Sequence, residues 1–374
     1  MKRIRWQHIK FPKLLNRLDR YLIGKFLGTY FFSIVLIISI AVVFDYNENI
    51  DKFTTNHAPW REIVSYYLNF IPYYANLFSS LFIFLSVIFF TTKLASNSEI
   101  IAMQAAGVKF VRIMRPYMIG SALIAAITFY LGSEVIPRGS VKRLEFEDQY
   151  KRKKKPAYAD NIQMQVDTGV IAYIEHYDDN YKTGYHFSLD KFHNKKLVSH
   201  LTANSLTYDT LCNEKYHWHI NNVTIRDMHT NREIITHHYS LDSVIIMEPR
   251  DFISTRYMEQ SMTNAELLDQ IDKQRIRGNG KVAQFEIEYH KRFANPFAAF
   301  IMSIIGLTLS ARKRKNGMGR ALGTGLALSA GYILFQTISA TFSLNAGWPP
   351  MLSAWLPNIV FVFIAFYLYK KAPR

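Results

Sequence analysis

Long uncharged and mainly apolar runs alternate with polar segments along this chain. Five runs contain no Asp, Glu, Lys or Arg and have at least 18 residues each: 26–44, 63–92, 116–133, 293–311 and 321–369. At about 1.5 Å of rise per residue, a helix of that length crosses a hydrocarbon core of about 30 Å. The last run is too long for one crossing, and Asn345-Ala-Gly-Trp-Pro-Pro350 divides it. The pattern therefore predicts six membrane-spanning helices.

The polar segment between the third and fourth predicted helices has a different pattern. Within residues 136–292, short stretches rich in β-branched and aromatic residues alternate with Asn, Asp and Lys clusters that favour turns. This spacing predicts an all-β domain, either a sandwich or a roll of antiparallel strands. Strands are expected at 170–174, 184–189, 205–208, 216–220, 223–225 and 244–246. Thr263-Asn-Ala-Glu266 has the form of a capping box and predicts a later helix that Gly278 can end.

Three domains are expected. Residues 1–135 hold the N-terminal segment and helices 1 to 3, residues 136–292 the β domain with flanking helices, and residues 293–374 helices 4 to 6. The first run could also be a cleaved signal sequence. It ends in Phe44-Asp-Tyr-Asn-Glu48, however, without the small residues of a cleavage site, which favours a retained helix.

The distribution of charge gives the predicted helices a direction. The formal net charge of +16 could indicate a nucleic-acid-binding protein. Twenty basic residues, however, lie before residue 26, in 93–115, in 312–320 and after 369, whereas the other two short loops hold only Lys52 and Arg61. The positive-inside rule then predicts a multi-pass membrane protein with both termini cytoplasmic and the β domain on the outer side of the membrane. No nucleic-acid partner is expected.

Enzymatic chemistry has little support in the sequence. Neither Gly24-Lys25 nor Gly280-Lys281 has the flanking residues of a phosphate-binding loop. Nine of the twelve histidines lie between residues 176 and 238, and His217 and His219 share a strand face, but a zinc site needs three or four ligands. The single Cys212 excludes a disulfide-built domain. The uncharged runs also lack the buried charge of an ion-coupled carrier, so we expect a non-catalytic protein without metal or cofactor that takes energy from a partner.

Residues 96–107, between the second and third predicted helices, have the pattern of a short cytoplasmic helix near 97–107. Ser98 suits the N-cap, Glu99 the first turn, and Gly107 the C-terminal stop. An apolar stripe is expected from Ile100, Met103 and Ala106 or from Ile101 and Ala105. The segment can lie on the bilayer as an interfacial helix, or it can dock on a cytoplasmic motor with Glu99 facing a basic partner.

Several short motifs occur in an order that carries a family resemblance. They are Leu18-Asp-Arg-Tyr21, Ser98-Glu99, Met103-Gln-Ala-Ala-Gly107, Glu134 with Pro137, Trp348-Pro-Pro-Met351 and Ala354-Trp-Leu-Pro357. Together they resemble the LptF/LptG permeases, also called YjgP/YjgQ, of the lipopolysaccharide transporter, and the LptG type more than the LptF type. LptG-type members carry a lysine near the outer end of the first helix, where this chain has Phe44-Asp-Tyr46 and Glu48.

The resemblance implies a permease subunit of an ATP-driven ABC transporter in the bacterial inner membrane, with a jellyroll-like β domain in the periplasm. The transporter extracts lipopolysaccharide from the outer leaflet of that membrane. It implies a second LptF/LptG-type permease, a dimeric LptB-like ATPase, and LptC-like and LptA-like periplasmic jellyroll proteins as partners. The residues expected to couple to the ATPase are Ser98, Glu99, Ile100, Met103 and Gly107. The alternative is a membrane-anchored lipid-binding scaffold without ATP coupling. Such a scaffold would not need a capped acidic helix between the second and third predicted helices.

Two sets of residues are candidates for lipid binding. Arg138, Lys142 and Arg143 suit lipid phosphates because charge-assisted hydrogen bonds are strong, although nearby Glu145, Glu147 and Asp148 could instead pair with them. The resemblance also implies a cavity between two permeases, bordered by their first and fifth helices. Its lining or gate is expected from Tyr30, Phe31, Gly323, Gly331 and Phe335, for which bilayer anchoring and helix packing are the alternatives.

Overall fold

Helices precede and follow a single antiparallel sheet. The computed structural model describes residues 16–151, 158–210, 216–229, 232–252, 258–276, 282–311 and 317–372. The helices before the sheet are α1 Arg17–Thr55, α2 Trp60–Leu77, α3 Ser79–Ser96, α4 Glu99–Ala105, α5 Phe110–Tyr130 and α6 Ile136–Phe146. The strands are β1 Tyr158–Asp167, β2 Val170–Asp178, β3 Thr183–His193, β4 Lys196–Tyr208, β5 His217–His229 and β6 Arg232–Val244. The helices after it are α7 Pro249–Phe252, α8 Asn264–Ile276, α9 Val282–Ser310, α10 Gly317–Ala346 and α11 Pro350–Lys370.

Six helical stretches within the described residues are long and apolar enough to cross a membrane. They are α1, α3, the stretch Phe110–Lys151 that contains α5 and α6, α9, Leu322–Ala346 of α10, and α11. The predicted fold class, six such helices with a β domain inserted after the third, is confirmed. The predicted break in the last run is also confirmed, because Gly347 follows α10 with a φ of 68°, a conformation that glycine adopts without strain.

The second uncharged run forms two helices, not the single helix that was expected. It divides at Phe78 into α2 and α3, and only α3 is one of the six apolar stretches. One continuous helix over residues 63–92 would be about 45 Å long, more than the hydrocarbon core requires. α2 contains Pro72 and four tyrosines, whose hydroxyl groups lower its hydropathy: Tyr66, Tyr67, Tyr73 and Tyr74.

The chain forms two compact units, each with its own core. The helical unit comprises Met1–Ile50, Tyr67–Val135 and His290–Arg374, and the sheet unit comprises Asp51–Tyr66 and Ile136–Tyr289. Fully buried aromatic side chains define the core of the helical unit: Phe26, Phe82, Phe84 and Tyr117. Among membrane-spanning helices, close packing of these side chains stabilises the unit through van der Waals contacts.

Close approach of two helices in the helical unit depends on a glycine. A Cβ atom added to Gly325 of α10 would lie 2.3 Å from side-chain atoms of both Phe84 and Ile88 on α3. Gly323 and Gly331, on the same helix, have no neighbouring atom within 4 Å of that position. Only one of these three glycines is therefore needed for packing inside this chain.

The sheet is a meander in which each strand pairs with the next in sequence. β5 joins the two strands expected at 216–220 and 223–225. Asn222, which lies between them, has a φ of 52° and forms an irregularity within the continuous strand. β1 was not expected, since Asn161, Gln163 and Gln165 give it low β propensity. The strand expected at 244–246 lies mostly beyond the end of β6 at Val244.

The core of the sheet unit is built around Trp218. This side chain is 1% exposed, its Nε1 donates to the Met247 carbonyl at 3.1 Å, and its ring packs against Tyr208 and Phe252. The capping box is confirmed, because the Thr263 N–H donates to Glu266 Oε2 at 2.8 Å and the Glu266 N–H reaches Thr263 Oγ1 at 3.5 Å. Gly278, the expected end of α8, lies outside the described residues.

Candidate coupling and lipid-binding sites

The predicted short helix is α4, and a tight hydrogen-bonded turn ends it. The Gly107 N–H donates to the Gln104 carbonyl at 2.9 Å, and the Val108 N–H donates to the Met103 carbonyl at 3.0 Å. These two bonds form a Schellman motif, which needs a left-handed residue after the C-cap. Gly107 has a φ of 82° and meets that need. The predicted stop at Gly107 is therefore confirmed.

The start of α4 differs from the expected cap. Ser98 is the N-cap residue, but it has a φ of 63° and makes no side-chain capping hydrogen bond. Glu99 is half-buried in the first turn, and its Oε1 accepts a hydrogen bond from Asn97 Nδ2 at 3.3 Å. A carboxylate in this position interacts favourably with the helix dipole.

The two faces of α4 have different surroundings. Ile100 is 1% exposed, and Met103 is partly buried against the core of the helical unit. These two predicted coupling residues anchor the helix. The opposite face is exposed and consists of small or apolar side chains: Ile101, Ala102, Ala105 and Ala106. The stripe through Ile101 and Ala105 therefore faces outward, and Ile100 and Met103 face the core. The expected place of Ala106 beside Ile100 and Met103 is wrong, because Ala106 is exposed.

A bidentate ion pair joins the beginnings of α1 and α5. Arg112 Nη1 and Nη2 donate to Asp19 Oδ1 and Oδ2 at 2.6 and 2.8 Å. Asp19 is 1% exposed. The sequence placed Asp19 in the Leu18-Asp-Arg-Tyr21 motif without a role, because its partner lies 93 residues further along the chain.

The three predicted phosphate-binding cations lie on α6 in two different environments. Arg138 and Lys142 are exposed and four residues apart, so they share a helix face. Arg143 is buried, with Nη1 donating to Glu147 Oε1 at 2.8 Å and Nη2 donating to Gln260 Oε1 at 3.2 Å. Arg143 is therefore acid-paired within the sheet unit, and the exposed cations are Arg138 and Lys142.

The predicted cavity residues lie on α1 and α10. Tyr30 is buried, with its hydroxyl 2.9 Å from Ser79 Oγ, whereas Phe31 is 47% exposed. Gly323 and Gly331 border open space, and Phe335 is partly buried against the core. An apolar groove of about 700 Å³ between α5, α9 and α11 contains none of the five residues. The five residues therefore do not line this groove.

Much of the surface of α1 and α10 is apolar and uncovered within the described chain. On α1 the most exposed large side chains are Phe32, Val35, Val43 and Phe44. On α10 they are Leu326, Leu334, Ile338, Phe342 and Leu344. Both helices are among the six apolar stretches, so these faces suit lipid or another membrane-spanning chain.

Histidines of the sheet pair with carboxylates on neighbouring strands. His176 Nδ1 lies 2.6 Å from Asp160, His200 Nδ1 lies 2.5 Å from Asp190, and His219 Nδ1 contacts Asp242. The hydrogen bond to Asp242 raises the pKa of His219. The described residues hold no group of three or more His, Cys, Asp or Glu side chains arranged to bind a metal ion.

Comparisons with known proteins cover nearly the whole chain. The family model described as "Lipopolysaccharide export system permease LptF/LptG" matches residues 20–371. The lipopolysaccharide export system permease protein LptG of Haemophilus influenzae is 21% identical over 372 residues, which cover 96% of this chain and 99% of that protein. An uncharacterized protein of Aquifex aeolicus is 29% identical over 142 residues, 37% of this chain and 38% of that protein.

Proposed function

This chain belongs to the LptF/LptG family of lipopolysaccharide export permeases, and we propose that it is the non-catalytic membrane subunit of an ATP-driven ABC transporter. In this proposal it extracts lipopolysaccharide from the outer leaflet of the inner membrane. Both termini are cytoplasmic and the β domain is periplasmic. The observation that carries the proposal is α4, which presents an uncovered apolar face and a carboxylate between two membrane-spanning helices.

The proposed energy source is a dimeric LptB-like ATPase in the cytoplasm. Ile101, Ala102, Ala105 and Ala106 provide a flat surface that fits an apolar groove, and Glu99 provides a charge for a basic residue at its edge. Ser98 and Gly107 set the two ends of this surface, while Ile100 and Met103 hold it on the core. In this proposal, α4 moves as a rigid element when the ATPase displaces it.

Two separate lipid-binding surfaces are proposed, one of cations for phosphates on the sheet unit and one apolar for acyl chains on the helical unit. Arg138 and Lys142 are placed to bind the phosphates, and Arg143 supports their helix through Glu147 and Gln260. The exposed faces of α1 and α10 supply apolar walls. A second LptF/LptG-type permease would close the cavity, with Phe31, Gly323 and Gly331 facing it and Tyr30 and Phe335 behind them.

Onward transfer is proposed to use the edge of the sheet. β6 is an edge strand, its residues are nearly all exposed, and Tyr239 is 93% exposed. An exposed edge can accept a strand from another β protein through backbone hydrogen bonds. The LptC-like and LptA-like jellyroll proteins of the periplasmic bridge are the proposed acceptors.

Affinity purification of the tagged full chain from mild detergent tests this function. We expect an ATPase, a second six-span permease and lipid A species in the purified sample. Recovery of the folded, monodisperse chain with bound lipid but without an ATPase would favour the scaffold function. Recovery without lipid and without an ATPase would reject both functions.

A further inference from the structure

The hydrogen bonds between Asp19 and Arg112 form a bidentate ion pair with a fixed orientation. Both guanidinium Nη atoms face both carboxylate oxygens, at 2.6 and 2.8 Å, and the Asn16 N–H also donates to Asp19 Oδ2 at 2.9 Å. A fork-to-fork pair of this kind fixes orientation as well as distance, which a lysine ammonium does not. Because Asp19 is 1% exposed, its charge depends on these donors.

Arg112 is separated from α4 by a short, hydrogen-bonded connection. Two bonds close the turn after α4, and the Arg112 N–H donates to the Lys109 carbonyl at 2.8 Å in the first turn of α5. The side chain of Arg112 is 32% exposed. The pair therefore links the end of the α4 turn to the first turn of α1.

The same region shares one hydrophobic core. Leu22 of α1, Ile100 of α4 and Phe110 of α5 are all buried members of the core of the helical unit, and Leu18 and Met103 are partly buried against it. Apolar packing holds the three helices together, and the ion pair adds a directional constraint to that packing.

We propose that Asp19 and Arg112 are positioning residues that lock α4 to α1, so that movement of α4 reaches the lipid-facing helix. This inference rests on the proposed function, since α4 is the proposed ATPase contact. α1 runs from Asp19 to the exposed aromatic side chains Phe31 and Phe32. A displacement of α4 by the ATPase would therefore be passed to the proposed cavity wall through one fork of hydrogen bonds.

The test measures separately how α4 is oriented relative to α1 and how well the ATPase docks on α4. In full-length protein with Cys212→Ser, spin labels at the exposed positions Tyr21→Cys and Ala105→Cys report the distance between α1 and α4. Docking is measured in the same variants without the label cysteines, because Ala105 lies on the proposed ATPase-docking face. The double variant Asp19→Leu/Arg112→Met removes both charges and leaves no unpaired buried carboxylate, so the fold is retained. Arg112→Lys keeps the charge without the fork, and Arg115→Lys makes the same change at an exposed residue.

We expect the label distances to broaden in the double variant and in Arg112→Lys, but not in Arg115→Lys. Co-purified ATPase should fall by about fivefold or more in the first two, the lower end of typical coupling between sites. An unchanged distance distribution would overturn the lock, as would broadened distances with full ATPase recovery. If distances broaden but the parent protein retains no ATPase, the positioning role stands and the proposed ATP coupling fails.

Discussion

The ammonium group of Lys151 makes two kinds of contact with Tyr66. Its Nζ donates to the Tyr66 hydroxyl at 2.8 Å and lies 4.5 Å from the centre of the same ring. That ring stacks on Phe146 at 4.8 Å and is 2% exposed. The contacts lie within the sheet unit and join the start of α2 to the segment that follows α6.

Tyr66→Phe is therefore expected to destabilise the protein by about 1 to 2 kcal/mol, because a charged donor loses its acceptor in a buried place. The unfolding midpoint of the detergent-solubilised protein, followed by circular dichroism, measures the change. Tyr181→Phe removes a hydroxyl from a 73% exposed ring in the same unit and is expected to change the free energy of unfolding by less than about 0.5 kcal/mol. Equal effects of the two substitutions would contradict a structural role for the Lys151 contact.

Gly325→Ala is expected to cost about 1 to 3 kcal/mol, the usual range for overpacking a core. The new methyl group would meet the buried Phe84 and Ile88. Gly331→Ala adds the same methyl group where no atom lies within 4 Å, so its effect on the unfolding midpoint should be near zero or stabilising. A loss of stability in Gly331→Ala as large as in Gly325→Ala would refute the assigned helix packing.

The His219–Asp242 pair predicts a pH-dependent contribution to stability. Asp242 on β6 and the nearby Asp209 face His219, which lies opposite Thr207 on β4. Their hydrogen bonds raise the pKa of His219 above its value of about 6.5 in an unfolded chain. The stabilisation is therefore complete below that pH and is lost as the pH rises through the raised pKa.

The direction of this pH dependence is tested by comparing the unfolding midpoints of the full chain and of the His219→Gln variant. The difference between them should be largest below the unfolded-chain pKa of about 6.5 and should shrink as the pH rises through the raised pKa of His219. Asp242→Asn should remove most of the same dependence. A difference that grows with rising pH would show that the sign is wrong.

Substitution of Arg143 is expected to lower stability, whereas substitution of the exposed cations Arg138 and Lys142 is expected to lower lipid binding. Arg143→Met removes one charge of a pair whose two side chains are only 5% and 12% exposed and should destabilise the protein by about 3 to 5 kcal/mol. Arg138→Gln/Lys142→Gln should leave the unfolding midpoint unchanged and reduce the lipid A that co-purifies. Undiminished lipid in this folded double variant would remove both cations from the proposed phosphate site.

Glu99→Lys is expected to uncouple export while the protein stays folded, because Glu99 is only half-buried and faces the proposed basic partner. Co-purified ATPase should fall by about fivefold or more, and Glu99→Ala should have a smaller effect. Asp272→Lys makes the same charge change on the exposed surface of α8 and serves as the control. Normal lipid export by a strain that carries only the Glu99→Lys form would reject the proposed role.

Much of the architecture follows from local sequence. The length of the apolar runs was enough to predict six membrane-spanning helices. The capping box of Thr263 and Glu266 and the helix end at Gly107 were also predictable, because their hydrogen bonds join residues close together in sequence. The division at Phe78 and strand β1 were missed because tyrosines in α2 and amides in β1 blur the periodic pattern. The family resemblance, carried by motifs spread along the chain, is confirmed by the matched residues 20–371.

Tertiary structure alone decided what each candidate residue contacts. Arg138, Lys142 and Arg143 are alike in sequence, yet burial beside Glu147 and Gln260 gives Arg143 a structural role and leaves the other two exposed. The faces of α4 could be assigned only once its packing was known. Asp19 and Arg112 meet across 93 positions of sequence. Periodicity and caps are set by neighbours in the chain, whereas burial and charge pairing depend on which distant segments fold together.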